Sequence, residues 1–498
     1  MIFIAASERN DRGPGDSDSD GTNYITPLNN ITFPPEFVWG SATSSYQVEG
    51  AADRDGRGAS IWDTFCRDGG RVLENATGDV ACDHYHLYEK DVSLMKDLHL
   101  RAYRFSISWS RILPSGYADG HDGNPEINRA GIDFYNRLIN ALLDHGIEPW
   151  VTLYHWDLPQ ALEDDVGGWL DPGGSTIAKA FGDYSRVCYS AFGDRVKHWI
   201  TLNEPWTVAV HGYNDGVKAP GRSHNGAFET YVVAHNLLLA HSAAAFVYKR
   251  EFASRQGGMV GMSNSADFRY PLAPGSELDR RAAERAMLFQ FCWFLDPVVT
   301  GDYPAVMRER LGDRLPRFTK EQSRRLLGSC DFLGINTYSS ALATTPENKP
   351  TWGGYWADMY VTTSTDPSWG KNFMGWPVVP DATRELLLWI SRRYSYPLLF
   401  ITENGTAEEE NDLQAAQHDV GRRLFFEGHL RACRRAIREG ARLGGYFAWS
   451  LMDNFEWEYG YQRRFGIYHV DFETQVRTPK SSAIWYSQTI KTNGANFE

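Results

Sequence analysis

Apolar residues in this chain gather into eight short runs, each about a strand long. They are Phe37–Ala42, Ala102–Trp109, Pro149–His155, Val196–Leu202, Gly258–Ser263, Phe332–Tyr338, Pro397–Glu403 and Gly445–Met452. Between them, apolar positions return at steps of three and four, the spacing of one helix face. Tyr85, Tyr88, Val92, Met95 and Leu98 make one such face. Ile132, Tyr135, Leu138, Ile139 and Leu142 make another, closed by Gly146 as a C-cap. The pattern predicts further helices over 175–192, 227–253, 414–439 and 480–490.

Eight strand-like runs alternating with helices are what a (β/α)8 barrel, the TIM barrel of the α/β class, requires. A barrel of this kind accommodates 498 residues as a single domain. Regions 264–280 and 340–376 break both periodicities and read as elaborated βα loops. Residues 1–24 read as a disordered leader. Their six apolar residues, Met1–Ala6, lack a basic flank and give way to Glu8, Asp11, Asp16, Asp18 and Asp20. That is too short for a signal peptide. The barrel domain is assigned to residues 25–498.

Two of the runs end alike. Ile401-Thr402-Glu403-Asn404-Gly405 and Thr201-Leu202-Asn203-Glu204-Pro205 each close an apolar strand with a glutamate. A carboxylate there is costly unless it has a partner or a task. Strand C-termini of a parallel barrel share one rim, where its chemistry sits. The rim set is then Gln47, Arg104, His155, Asn203, Glu204, Asn336, Tyr338, Glu403 and Trp449. It holds no nucleophilic Ser or Cys with a base, no glycine-rich phosphate loop and no paired-His metal spacing. No cofactor or metal is expected. A carboxylate pair in a polar cleft meets the requirement of glycoside hydrolysis. Arg104 and Tyr338 would keep Glu403 ionised as nucleophile. The charge of Glu403 would keep Glu204 protonated as general acid. Retention of configuration, with carboxyl groups roughly 5–5.5 Å apart, follows as the expectation. Singly, each residue has a bland reading: Arg104 a salt bridge, His155 a satisfied core histidine, either glutamate a cap or ion-pair partner. Among the aromatics, Trp169, Trp376, Trp449, Trp457 and Phe465 fall nearest the rim.

A net charge of −13, from 63 acidic and 50 basic residues, disfavours nucleic acid and anionic membranes as partners. No apolar run looks long enough to span a membrane. Six scattered cysteines without CxxC spacing suit a reducing, cytoplasmic setting. Of three Asn-x-Ser/Thr sequons, at Asn30, Asn75 and Asn404, the last adjoins Glu403, where a glycan would block the site.

Residues 33–490 resemble the β-glucosidases of glycoside hydrolase family 1, of the fungal, intracellular type. The likeness rests on Phe37-Val38-Trp39-Gly40 with Tyr46-Gln47-Val48-Glu49-Gly50, Tyr103-Arg104-Phe105-Ser106-Ile107-Ser108-Trp109 and Leu153-Tyr154-His155-Trp156-Asp157-Leu158-Pro159. The two glutamate segments and Trp449-Ser450-Leu451-Met452-Asp453-Asn454-Phe455-Glu456-Trp457 complete it. The resemblance implies a metal-independent enzyme with Glu204 as acid/base and Glu403 as nucleophile. It implies that Asn203 bonds the sugar 2-hydroxyl, and that Gln47, His155, Trp449 and Glu456 bond the other hydroxyls. Trp457 would help form that pocket. It implies that Tyr338 and Arg104 hold the nucleophile, with Asn336 nearby. Trp376 and Phe465 are carried as candidate substrate contacts. Glu456, where phospho-glycosidase relatives have Ser, is expected to repel a 6-phosphate by its charge. The expected substrates are cellobiose, short oligosaccharides and aryl or alkyl glucosides. The alternatives are transglycosylation, or a non-catalytic sugar-binding protein on the same scaffold. Oligomeric state is open.

Overall fold

Eight parallel strands close on themselves in chain order: β1 Val38–Ala42, β2 Ala102–Ser106, β3 Glu148–Tyr154, β4 His198–Asn203, β5 Met259–Ser265, β6 Phe332–Asn336, β7 Leu399–Asn404 and β8 Leu443–Trp449. The computed structural model describes residues 32–119, 126–348, 353–410 and 412–494. The leader expected over 1–24 and the first residues of the expected barrel domain lie outside these. Each strand matches a predicted run to within a few residues. Closure comes from β1 and β8, whose register runs from Val38 opposite Gly445 to Ala42 opposite Trp449.

The barrel interior is packed solid. Trp150, Phe332, Phe400 and Phe447 meet with ring centroids 4.8–5.7 Å apart, and Trp150 stacks on His198 at 3.8 Å. Each such aromatic pair adds about 0.5–1.5 kcal/mol beyond its burial. This plug forms a rigid floor beneath the mouth.

The helices His84–Asp97, Arg129–Asp144 and Ser175–Phe192 fall where their periodicity predicts. Gly146 adopts the left-handed conformation of a helix stop. The helix Gly226–Val247 runs on through a wider turn to Gln256, and by length and composition it could cross a membrane, contrary to the sequence reading. Most of it is buried, and it packs against Ser175–Phe192 and Pro205–Tyr213. The two elaborated loops join: Arg269–Pro271, Ala341–Thr344 and Thr362–Ser364 form one small sheet.

A second buried network ties the C-terminal segment to the β7 and β8 loops. Lys480 donates to Glu410 and Asp453 at 2.5 and 2.8 Å, while Arg422 bonds Glu410 and Asp419 at 2.9 and 2.5 Å. Glu410, Asp453 and His469 come close enough to hold a cation, and the Lys480 ammonium already supplies one. Replacing one partner leaves buried charge unpaired. Lys480→Met is expected to cost about 3–5 kcal/mol in chemical denaturation. A loss under about 1 kcal/mol would show that these carboxylates find other partners.

Candidate active site

Glu403 and Glu204 both reach the barrel mouth because their strands depart from simple alternation. Phe400 faces the barrel interior and Ile401 the surrounding helices. The register of β7 against β6 then shifts between Ile401 and Glu403. A bulge of this kind re-aims a side chain. Thr402 meets Asn336 and Glu403 still turns into the mouth, while Asn404 points away to Thr337 and Tyr446. β4 shifts likewise between Ile200 and Asn203. Glu204 follows in a left-handed conformation, φ 45°, at the N-cap of Pro205–Tyr213. Its N–H is anchored to the Ser263 carbonyl at 2.8 Å. Gly405 is required for space: an added Cβ would collide with the Trp449 carbonyl.

Hydrogen bonds then fix each carboxylate. Arg104 Nη1 donates to Glu403 Oε1 at 2.6 Å and Tyr338 Oη to Oε2 at 2.7 Å. Arg104 Nη2 donates to Asn203 Oδ1 at 2.6 Å, which also accepts from Asn336 Nδ2 at 3.0 Å. The same Asn336 amide donates to Glu204 Oε1 at 2.8 Å and acts on Glu403 too. Thr207 completes Glu204, donating to Oε2 at 2.6 Å. One bonded chain thus links Glu403, Arg104, Asn203, Asn336 and Glu204.

The two glutamates differ electrostatically. Burial pushes the Glu204 carboxyl up to about 7, and the Glu403 charge adds to that. Burial is the larger cause, where the sequence reading named the neighbouring charge. Burial also raises Glu403, opposed by the Arg104 cation and by hydrogen bonds from Tyr338, Arg104 and Asn336. Glu456 rises to about 8, chiefly by burial. At pH 7 it is mostly neutral. The expected repulsion of a 6-phosphate by its charge is correspondingly weak.

His155 is buried and held neutral by desolvation. Asn203 Oδ1 is committed to two donors, so its Nδ2 donates to His155 Nε2 at 3.1 Å. The imidazole proton is then on Nδ1, which has no protein partner. His155 stacks parallel to Trp449 and Trp457 and lines the cavity.

That cavity has a volume of about 1000 Å³, the upper range for small-molecule sites. Glu204, Glu403, Tyr338, Trp376, Trp449, Glu456, Trp457 and Phe465 share its wall with His155. Tyr338, Trp376 and Phe465 form an aromatic trio with centroids 5.8–6.1 Å apart. Arg104, Asn203 and Asn336 lie behind the wall. So does Gln47, whose amide bonds Ser44, Asn454, the Phe455 carbonyl and Glu456. Trp169 is no rim residue: it is fully buried, with Nε1 bonded to the Tyr154 hydroxyl at 2.9 Å. Trp206, Thr207, Lys218 and Asp267 line the cavity but escaped the sequence reading, which named Trp156, also on the wall, only within its segment. Only Thr207, three residues after Glu204 at a helix start, had a local signal.

A barrel mouth with two buried carboxylates in one hydrogen-bonded chain defines an O-glycoside hydrolase. Residues 29–495 match glycosyl hydrolase family 1, and the chain belongs to that family. Beta-glucosidase 42 of Arabidopsis thaliana is 44% identical over 476 residues, spanning 93% of this chain and 95% of its own length. The structure of rice Os3BGlu6 β-glucosidase in a covalent complex with Glc matches with a TM-score of 0.88 at 42% identity. It covers 92% of this chain and 99% of that one. The β-glucosidase of Trichoderma harzianum matches at 0.86 and 41%, over 92% and 97%. Relatives at similar identity therefore come from plants and fungi alike.

A general acid with a raised pKa works only while protonated. The kcat/KM for an aryl glucoside is expected to fall as pH rises through about 7, the value at Glu204. A profile flat to about pH 9 would remove Glu204 from that role. Tyr338→Phe deletes one hydrogen bond to a charged group. It is expected to lower kcat/KM roughly ten- to a hundredfold.

Proposed function

We propose that this protein is a retaining β-glucosidase. It would remove terminal non-reducing β-D-glucosyl residues from cellobiose, short oligosaccharides and aryl or alkyl glucosides. The observation that carries the reading is the asymmetry of the two carboxylates. Glu403 is gripped by a guanidinium and a phenol; Glu204 has only an amide and a hydroxyl. Environments that push two titratable groups apart assign their roles.

In the first step Glu403 attacks the anomeric carbon while Glu204 protonates the departing oxygen. The glycosyl ester that forms removes the charge on Glu403. The pKa of Glu204 then falls and it accepts a proton from water, which attacks the same carbon and releases glucose. His155, a neutral imidazole on the cavity wall, would meet a sugar hydroxyl there. Trp449 and Trp457 supply apolar faces for the sugar's C–H groups. A blind cavity over a packed floor favours the end of a chain over its middle.

A cytoplasmic location, of the fungal intracellular type, completes the reading. It is supported by six free cysteines, five of them buried, and by the burial of Asn404, with both ends of its amide bonded. A glycan could not be attached there without unfolding the mouth.

Glu403→Gln and Glu204→Gln are expected to lose several orders of magnitude on a natural glucoside. Azide should rescue the Glu204 variant by forming a β-glucosyl azide. NMR of the first product formed should show the β anomer. Unchanged turnover in either variant, or an α product, would overturn the assignment.

A further inference from the structure

Lys218 lies in the segment after the helix that Glu204 begins. Its ammonium meets Glu458 Oε2 at 2.5 Å, on the short helix Trp457–Tyr459 beside Glu456. The same nitrogen sits 5.2 Å above the ring of Trp156. Trp156 donates Nε1 to the Asn203 carbonyl at 3.0 Å, next to Glu204, and packs on Trp457 with centroids 4.4 Å apart. The pair therefore bridges the loop after β4 and the loop after β8, with contacts leading to both carboxylates.

Lys218 and Glu458 are 14% and 22% exposed in their side chains, so bulk water screens them less than a surface pair. Both line the cavity with Glu204, Glu403 and Glu456. The other charged groups of the wall are committed elsewhere. His211 pairs with Asp215 at 2.8 Å. Asp267 accepts the backbone N–H groups of Tyr338 and Ser339 and faces Arg269. Arg71 turns to Asp68 at the exposed edge. Glu403 is paired with Arg104. Lys218 is the one lysine among the described residues of the wall.

We propose that the Lys218–Glu458 pair is a positioning device for the acid/base step, clamping the two rim loops together and setting the pH range over which Glu204 can donate its proton. A cation beside a carboxylic acid favours its ionised form. Lys218 acts in that sense on Glu204 and Glu456, and Glu458 acts in the opposite sense on Glu456. Charges of opposite sign act oppositely on the same carboxyl group, so removing the two members singly must shift Glu204 in opposite directions. A merely structural clamp would give the same response to either loss. The inference rests on the reading of Glu204 as the acid.

The test is the pH profile of kcat/KM on an aryl glucoside for the full chain and for Lys218→Gln, Lys218→Arg and Glu458→Gln. Thermal melting confirms that each variant is folded. Lys218→Gln is expected to move the alkaline limb up by roughly half to one pH unit. Glu458→Gln should move it down, and Lys218→Arg should restore the original profile. An unmoved limb in Lys218→Gln, or shifts of the same sign in both charge-removing variants, would overturn the proposal. Glu204→Gln separates this from the underlying assignment. If it abolishes the limb on a substrate whose leaving group needs no proton, Glu204 is the titrating group, and a failure above belongs to the pair alone. If the limb persists there, the assignment of Glu204 has failed instead.

Discussion

Arg104 is a fully buried guanidinium on the second barrel strand, and a charge so placed must be matched within bonding distance. It donates to Thr152 on β3, Asn203 on β4, and both the Thr402 carbonyl and Glu403 on β7. Four strands, separated in sequence by up to 300 residues, are thereby held at one level of the mouth. Neither charge is tolerable without the other. Losing Glu403 would strand a cation with no water, and losing Arg104 would leave Glu403 buried and largely unopposed. Catalytic geometry and local stability are one requirement here.

From that pairing the rest of the site's electrostatics follows. Arg104 answers the charge of one carboxylate, while Glu204 and Glu456 have no such direct cationic partner in the same cavity. Burial moves both toward the neutral form at ordinary pH. A pair with one ionised carboxylate in Glu403 and one protonated acid in Glu204, beside a third, neutral carboxyl group in Glu456, is chemically asymmetric. It can push electrons from one side of a sugar and offer a proton from the other. Aromatic walls complete the fit by binding without adding charge.

The barrel was legible because its signal is carried by whole strands. Eight apolar runs alternating with helices admit few architectures, and the helix Ser175–Phe192 falls where its periodicity places it. The segment between β5 and β6 was less legible. Its helices Glu277–Met287 and Trp293–Thr300 are joined by a wider turn that breaks the 3.6-residue period. Glu204 and Glu403 were visible as charges ending apolar runs. The reason they face inward was not, because the bulges at Ile200/Asn203 and Ile401/Glu403 have no compositional mark. Trp169 shows the opposite error: a tryptophan after a strand end looks like a sugar platform, yet its N–H is spent on Tyr154 inside the core. Lys218 escaped notice because its partner stands 240 residues away.

Closure through β1 and β8 has a bearing on how the chain is made. Val38 must wait for Gly445, so the ring stays open until the 407 positions that separate them have left the ribosome. At the translation rates cells sustain, that is tens of seconds or more. During this interval the nascent sheet carries two unpaired edges, which can recruit strands from other molecules. The final helix, Ser481–Lys491, then locks the seam: the Tyr486 hydroxyl bonds the Gly40 carbonyl at 2.8 Å. Recombinant yield should therefore respond to slower synthesis and to chaperone supply more than to changes at the mouth.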